Sequence, residues 1–115
     1  MQPEPLRIVA VQRLAGQAIL WRNHWQSAVN VVVRDVHTGT GVGAVRVDVQ
    51  FSNGYTTSCI TTLPAGRCSV LSNNLRYRDA VIRMAVTSVR GEGIAYDPLQ
   101  NNRTELRVRW DQALP

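Results

Sequence analysis

Strict alternation of apolar and polar side chains over Val45-Arg46-Val47-Asp48-Val49-Gln50-Phe51 restricts this chain more than any other feature. A β-strand turns successive side chains to opposite faces, so Val45, Val47, Val49 and Phe51 share one apolar face while Arg46, Asp48 and Gln50 share the other. The same period recurs at Val29, Val31 and Val33. It recurs again over Val81 to Val89, where Ile82, Met84 and Val86 share a face, and over Thr104 to Trp110, where Leu106, Val108 and Trp110 do. Leu6 to Leu14, with Ile8 to Val11 as its apolar centre, reads as a first strand. Thr56 to Thr62 is rich in β-branched residues, and Cys68 to Ser72 returns after it. Helical spacing is nearly absent.

Turn formers separate these runs at Gly39–Gly43, Ser52-Asn53-Gly54, Pro64–Gly66, Ser72-Asn73-Asn74 and Asp97–Asn102. About seven short antiparallel strands at this spacing predict a β-sandwich. A single sheet would leave its apolar face open, because no helix is available to cover it. With 115 residues the chain is expected to form one domain, residues 1–115 with a core of about 6–110. The hydrophobic share of 44% supports a packed core without metal or cofactor. The ends, Met1–Pro5 and Asp111–Pro115, are expected to be loosely held.

Cys59 and Cys68 flank the Leu63-Pro64-Ala65-Gly66 turn. A symmetric hairpin about Pro64 sets them opposite one another on adjacent strands, at a separation that a disulfide can bridge. Two reduced thiols in a core are the plainer alternative. A metal site is poorly served, because only His24 and His37 could join the thiols, and no Cys-x-x-Cys suggests redox chemistry.

The order of motifs resembles bacterial immunoglobulin-like accessory domains, which occur appended to secreted proteases, other hydrolases and surface proteins. The resemblance rests on Trp25 followed by the alternating Val29-Asn30-Val31-Val32-Val33, and then on Asp35, Gly39 and Val42-Gly43-Ala44-Val45-Arg46-Val47. It continues through Ser58-Cys59-Ile60-Thr61, Gly66 and Cys68-Ser69-Val70, and closes with Val86-Thr87-Ser88-Val89 and Tyr96-Asp97-Pro98-Leu99-Gln100-Asn101. It covers roughly Trp25 to Trp110. It implies an immunoglobulin-like sandwich with one disulfide and a non-catalytic accessory role. The intercysteine loop is one residue longer than the usual pattern. Asn101-Asn102-Arg103-Thr104 replaces the acidic stretch that often follows the Tyr-Asp-Pro turn, which speaks against a calcium site there.

Catalytic groups do not assemble in this pattern. His24 and His37 fall before a strand and in a turn, and Ser27 and Ser58 lack the glycine-flanked elbow of an exposed nucleophile. Asp35, Asp48, Asp79 and Asp97 fall in turns or on outer strand faces, so the chain is not expected to be an enzyme. The formal charge is +5 and all 13 basic residues are arginine, but they are scattered singly, which argues against nucleic acid as a partner. No run approaches the roughly 18 apolar residues of a membrane span.

A disulfide places the protein in the periplasm, at the cell surface or outside the cell. Met1 to Leu6 lacks the basic head and apolar run of a secretory signal, so the chain is expected to be a mature segment or one domain of a larger secreted protein. The expected role is an accessory or interaction module whose partner is another domain or protein at the surface. Polysaccharide is the rival partner, with Trp21, Tyr55 and Tyr77 as the candidate ligand-facing rings. Trp25 and Trp110 are assigned to the core and Tyr96 to its turn. A basic surface that binds anionic polymers is the third reading.

Overall fold

The structure, a computed structural model, describes residues 6–111. Of the ends expected to be loosely held, residues 1–5 and 112–115 lie outside the described residues, whereas Asp111 pairs with Arg109 at 2.9 Å. Eight strands occur in chain order: β1 (Arg7–Leu20), β2 (Trp25–Asp35), β3 (Arg46–Phe51), β4 (Thr56–Ile60), β5 (Arg67–Leu71), β6 (Val81–Arg90), β7 (Ile94–Tyr96) and β8 (Glu105–Arg109). A 3-10 turn, Pro98–Gln100, precedes β8. The protein is all-β, with one four-stranded sheet in the order β5-β2-β1-β7 and a second in the order β4-β3-β6-β8.

Both sheets turn their valine-lined faces inward. Val29, Val31 and Val33 of β2 are fully buried, as are Val47 of β3 and Trp25 at the start of β2. Phe51 and Met84 fill the space between them at 1% exposure each. Two bulges keep the inward set in phase. Between Val11 and Arg13 the register of β1 against β2 shifts by a residue, so that Val9 and Val11 face inward above the bulge and Leu14 below it. A second shift opposite Asp48 and Val49 does the same for β6, where Ile82, Met84 and Val86 are followed inward by Val89.

Three differences from the expectations have local causes. First, β1 continues past Leu14 to Leu20, because the bulge resets its alternation partway along. Second, there are eight strands, and not all pairs are antiparallel. The three-residue β7 pairs parallel with β1 (Arg7 opposite Ile94), a segment too short to carry a period. Third, β4 and β5 do not form one hairpin. Only Thr62 and Arg67 bridge next to the turn, after which β4 pairs with β3 and β5 with β2, so the two strands part into different sheets.

Candidate binding surface

Cys59 and Cys68 are joined in a disulfide with their Cα atoms 5.8 Å apart. Cys59 lies opposite Val47 and Cys68 opposite Val31, so both point into the core from facing edge strands. The bond therefore clasps the two sheets along one edge. Along the other edge β1 meets β8 across Gly16, where an added Cβ would come within 2.6 Å of Val108 and 2.9 Å of Leu106. Glycine is what lets these strands close.

The three candidate aromatic residues sit in turns that the strand directions bring to one end of the sandwich. Asn53 donates to Asn73 across 2.9 Å, tying two of those turns together. Trp21 is 52% exposed and stacks on His24, with ring centroids 5.9 Å apart, while its indole N–H donates to Gln26. Tyr55 is 38% exposed and its ring lies against Phe51. Tyr77 is half-buried; its hydroxyl donates to the Trp21 carbonyl, and Trp110 meets it edge to face at 5.1 Å. Trp25 is fully buried and its indole N–H reaches the carbonyls of Arg76 and Asp79. Trp110 is partly buried against the core and donates to the Tyr77 carbonyl. Tyr96 accepts from Asn101 in the segment after β7.

The charged side chains are distributed less evenly in space than along the chain. The outer face of the second sheet carries Arg46 from β3, Arg83 and Arg90 from β6, and Arg107 and Arg109 from β8, all exposed. Asp48 answers two of them, pairing with Arg46 at 2.9 Å and Arg90 at 3.0 Å, and Asp111 pairs with Arg109 at 2.9 Å. The Ser88 hydroxyl, ahead of the two guanidiniums, holds the Asp48 carboxyl below its ordinary pKa of 3.8, and burial opposes the shift.

Arg83 and Arg107 are answered by nothing comparable. They stand directly opposite each other in the β6–β8 register, yet neither makes an ion pair among the described residues. Like charges placed so destabilise a sheet. Arg103, in the loop before β8, joins them, and with Glu105 and Leu106 the three arginines line one depression of about 330 Å³. A second depression of about 250 Å³ shares Arg83 and Glu105 with the first. Its middle is Ala85, which the register sets between Gln50 of β3 and Glu105 of β8. The methyl group leaves a gap among long neighbours, so the two depressions run together as a trough.

On the first sheet, Asp35 is buried and accepts from the Arg7 guanidinium at 3.0 Å and from the backbone N–H groups of His37 and Thr38. His37 is exposed in that turn and His24 is half-buried against Trp21. No helix of the described residues is long and apolar enough to cross a membrane. The class defined by these features is an all-β, two-sheet sandwich with a disulfide clasp and an arginine-lined outer face. Compared with known proteins, the chain matches no family model, no curated protein and no solved structure.

Proposed function

We propose that this chain is a non-catalytic binding module, an immunoglobulin-like β-sandwich of a bacterial secreted, periplasmic or cell-surface protein. The observation that carries the binding reading is the Arg83–Arg107 pair, two exposed arginines directly opposite one another in the β6–β8 register with no ion-pair partner among the described residues. A fold gains nothing from such a pair on its own, whereas an external anion would. The immunoglobulin-like reading is supported by connectivity. Each sheet pairs strands distant in sequence, β2 with β5 in one and β3 with β6 in the other, so the chain crosses repeatedly between the two layers, as Greek-key sandwiches do. The compartment is supported by the disulfide, which persists where thiols are oxidised.

Two measurements test this reading. Thiol titration of the unfolded, unreduced protein taken from its native compartment should find no free thiol; two would remove the exported assignment. Chromogenic esters, glycosides and peptides should be turned over no faster than in buffer. Turnover lost on His24→Ala or His37→Ala would show the module to be an enzyme.

Exposed Trp21 and its stacking partner His24 favour a second reading, a carbohydrate contact at the end of the sandwich. Flat rings stack on the apolar faces of sugars, and retention on insoluble polysaccharide that Trp21→Ala abolishes would support it. Tyr55 and Tyr77 are the other rings of this contact.

A further inference from the structure

We infer that the trough on the outer face of the second sheet binds an acidic polysaccharide, a glycan chain bearing carboxylate or sulfate groups. The inference rests on the binding-module reading and gives it a ligand. Arg83, Arg103 and Arg107 come from two strands and a loop, and they converge on one depression with Leu106 beneath them. A guanidinium presents a planar fork of N–H donors that matches a carboxylate or sulfate with two parallel hydrogen bonds. Three such forks, none committed to an acid among the described residues, make a site for more than one anionic group.

The adjoining half of the trough has a different chemistry. Ala85 offers a methyl surface, and Gln50, Ser52 and Glu105 around it supply an amide, a hydroxyl and a carboxylate. That combination suits a sugar ring, which has a C–H face to rest on Ala85 and hydroxyls to donate to Glu105 and Gln50. The charged group of the same or the next sugar then falls to Arg83, which belongs to both halves.

A single-stranded nucleic acid would present phosphates equally well, but its exposed bases need aromatic faces to stack on, and neither half of the trough is lined by an exposed ring. Glu105 would also repel a uniformly charged backbone. An acidic glycan alternates anionic groups with neutral hydroxyls, as the trough alternates arginines with Glu105, Gln50 and Ser52.

Affinity electrophoresis of the intact chain through gels containing polygalacturonate, heparin, neutral dextran or double-stranded DNA tests the inference. The protein should be retarded by polygalacturonate or heparin at low salt; preference for polygalacturonate identifies carboxylate as the group read, and preference for heparin, which bears sulfate beside carboxylate, identifies sulfate as the group that adds binding. Retardation should fall as salt rises, since the contact is ionic. The double substitution Arg83→Gln with Arg107→Gln should weaken binding by about tenfold or more, the scale of losing charge-assisted hydrogen bonds. These side chains point to solvent, so the melting temperature should not drop. Trp21→Ala should bind as the unaltered protein does.

No retardation by either acidic glycan, equal retardation of the double variant, equal retardation by dextran, or tighter binding to DNA would each overturn the inference. The thiol and turnover assays above are independent of these gels. A failed trough therefore withdraws the acidic-glycan ligand and leaves the module reading to the carbohydrate contact at Trp21, whereas turnover removes the module reading itself.

Discussion

At the scale of single residues, Asp35 bears the most specific load. Its carboxylate takes the Arg7 guanidinium and the N–H groups of His37 and Thr38, so one side chain anchors the N-terminal strand and shapes the turn after β2. The Arg7 hydrogen bond is the chief reason its carboxyl lies below the ordinary value of 3.8; burial pushes the other way, and the two N–H donors help lower it. A depressed value in the folded state means that the unfolded chain binds protons first as pH falls. The stabilisation from Asp35 and Asp48 is therefore complete above the ordinary aspartate value and is lost as pH drops through their folded values. Denaturant titrations between neutral pH and about pH 3 should show stability falling in that acid window. Asp35→Asn should cost about 1 to 3 kcal/mol at neutral pH, the range for a broken buried charge-assisted contact, and should flatten the acid limb. An unchanged limb would mean that Asp35 is not the group responsible. Gly66 allows a sharper comparison. It has φ +70°, and a Cβ there would sit 2.3 Å from the Val33 carbonyl and 2.6 Å from the Val42 nitrogen; Gly39 has φ +74° with open space around it. Gly39→Ala should cost about 1 to 2 kcal/mol, the backbone strain alone. Gly66→Ala adds a collision with backbone and should lose clearly more, up to failure to fold, as read by urea melts of the two variants.

The element scale shows what the disulfide does. Because β4 and β5 belong to different sheets, the Cys59–Cys68 bond holds together layers that, beyond the Thr62–Arg67 bridge, touch through side chains along this edge. Replacing both cysteines by serine should lower stability by about 2.5 kcal/mol, the chain-entropy value for a loop of this length. Reduction of the unaltered protein should reproduce that loss in a thermal or urea melt, and a loss near zero would show that the clasp is ornamental to the fold. Alternation made most strands legible in the sequence, since Val45 to Phe51 or Val29 to Val33 can bury an apolar face in no other way. Partnership between strands was less legible. A turn such as Leu63–Gly66 looks the same whether its strands stay paired or part after one bridge, and the outcome depends on β2 and β3 offering better edges than β4 and β5 offer each other. Bulges hid the second half of β1, because Gln12 breaks the period that identifies a strand. β7 was invisible, since Ile94-Ala95-Tyr96 exists as a strand only through its pairing with Arg7–Val9. The aromatic residues at the end of the sandwich were found by elimination from the core. The arginine trough is not legible in the sequence, because Arg83, Arg103 and Arg107 are separated along the chain and only the β6–β8 pairing and the loop before β8 bring them together.

For the whole molecule, the uneven charge of the second sheet sets stability against binding. Of its outward arginines, Arg46, Arg90 and Arg109 are neutralised within the fold, and the Arg83–Arg107 pair is left to repel. Surface ion pairs contribute about 0 to 1 kcal/mol each, so a single rearranged charge could have relieved the repulsion at little structural cost. That it stands unrelieved has the form of a functional site carrying a local penalty that the rest of the core can support. Arg83→Glu turns the repelling pair into an attracting one across the same two strands. It should raise the stability of the free protein by about 0.2 to 1 kcal/mol, the cross-strand scale, with Glu105 as a diagonal neighbour holding the gain toward the lower end. The same substitution places a negative charge where the trough receives an anion, so retardation by polygalacturonate and heparin should disappear. Stability and binding then move in opposite directions. If Arg83 served the fold alone, both would fall together, and a urea melt alongside the affinity gel separates the two outcomes in one variant.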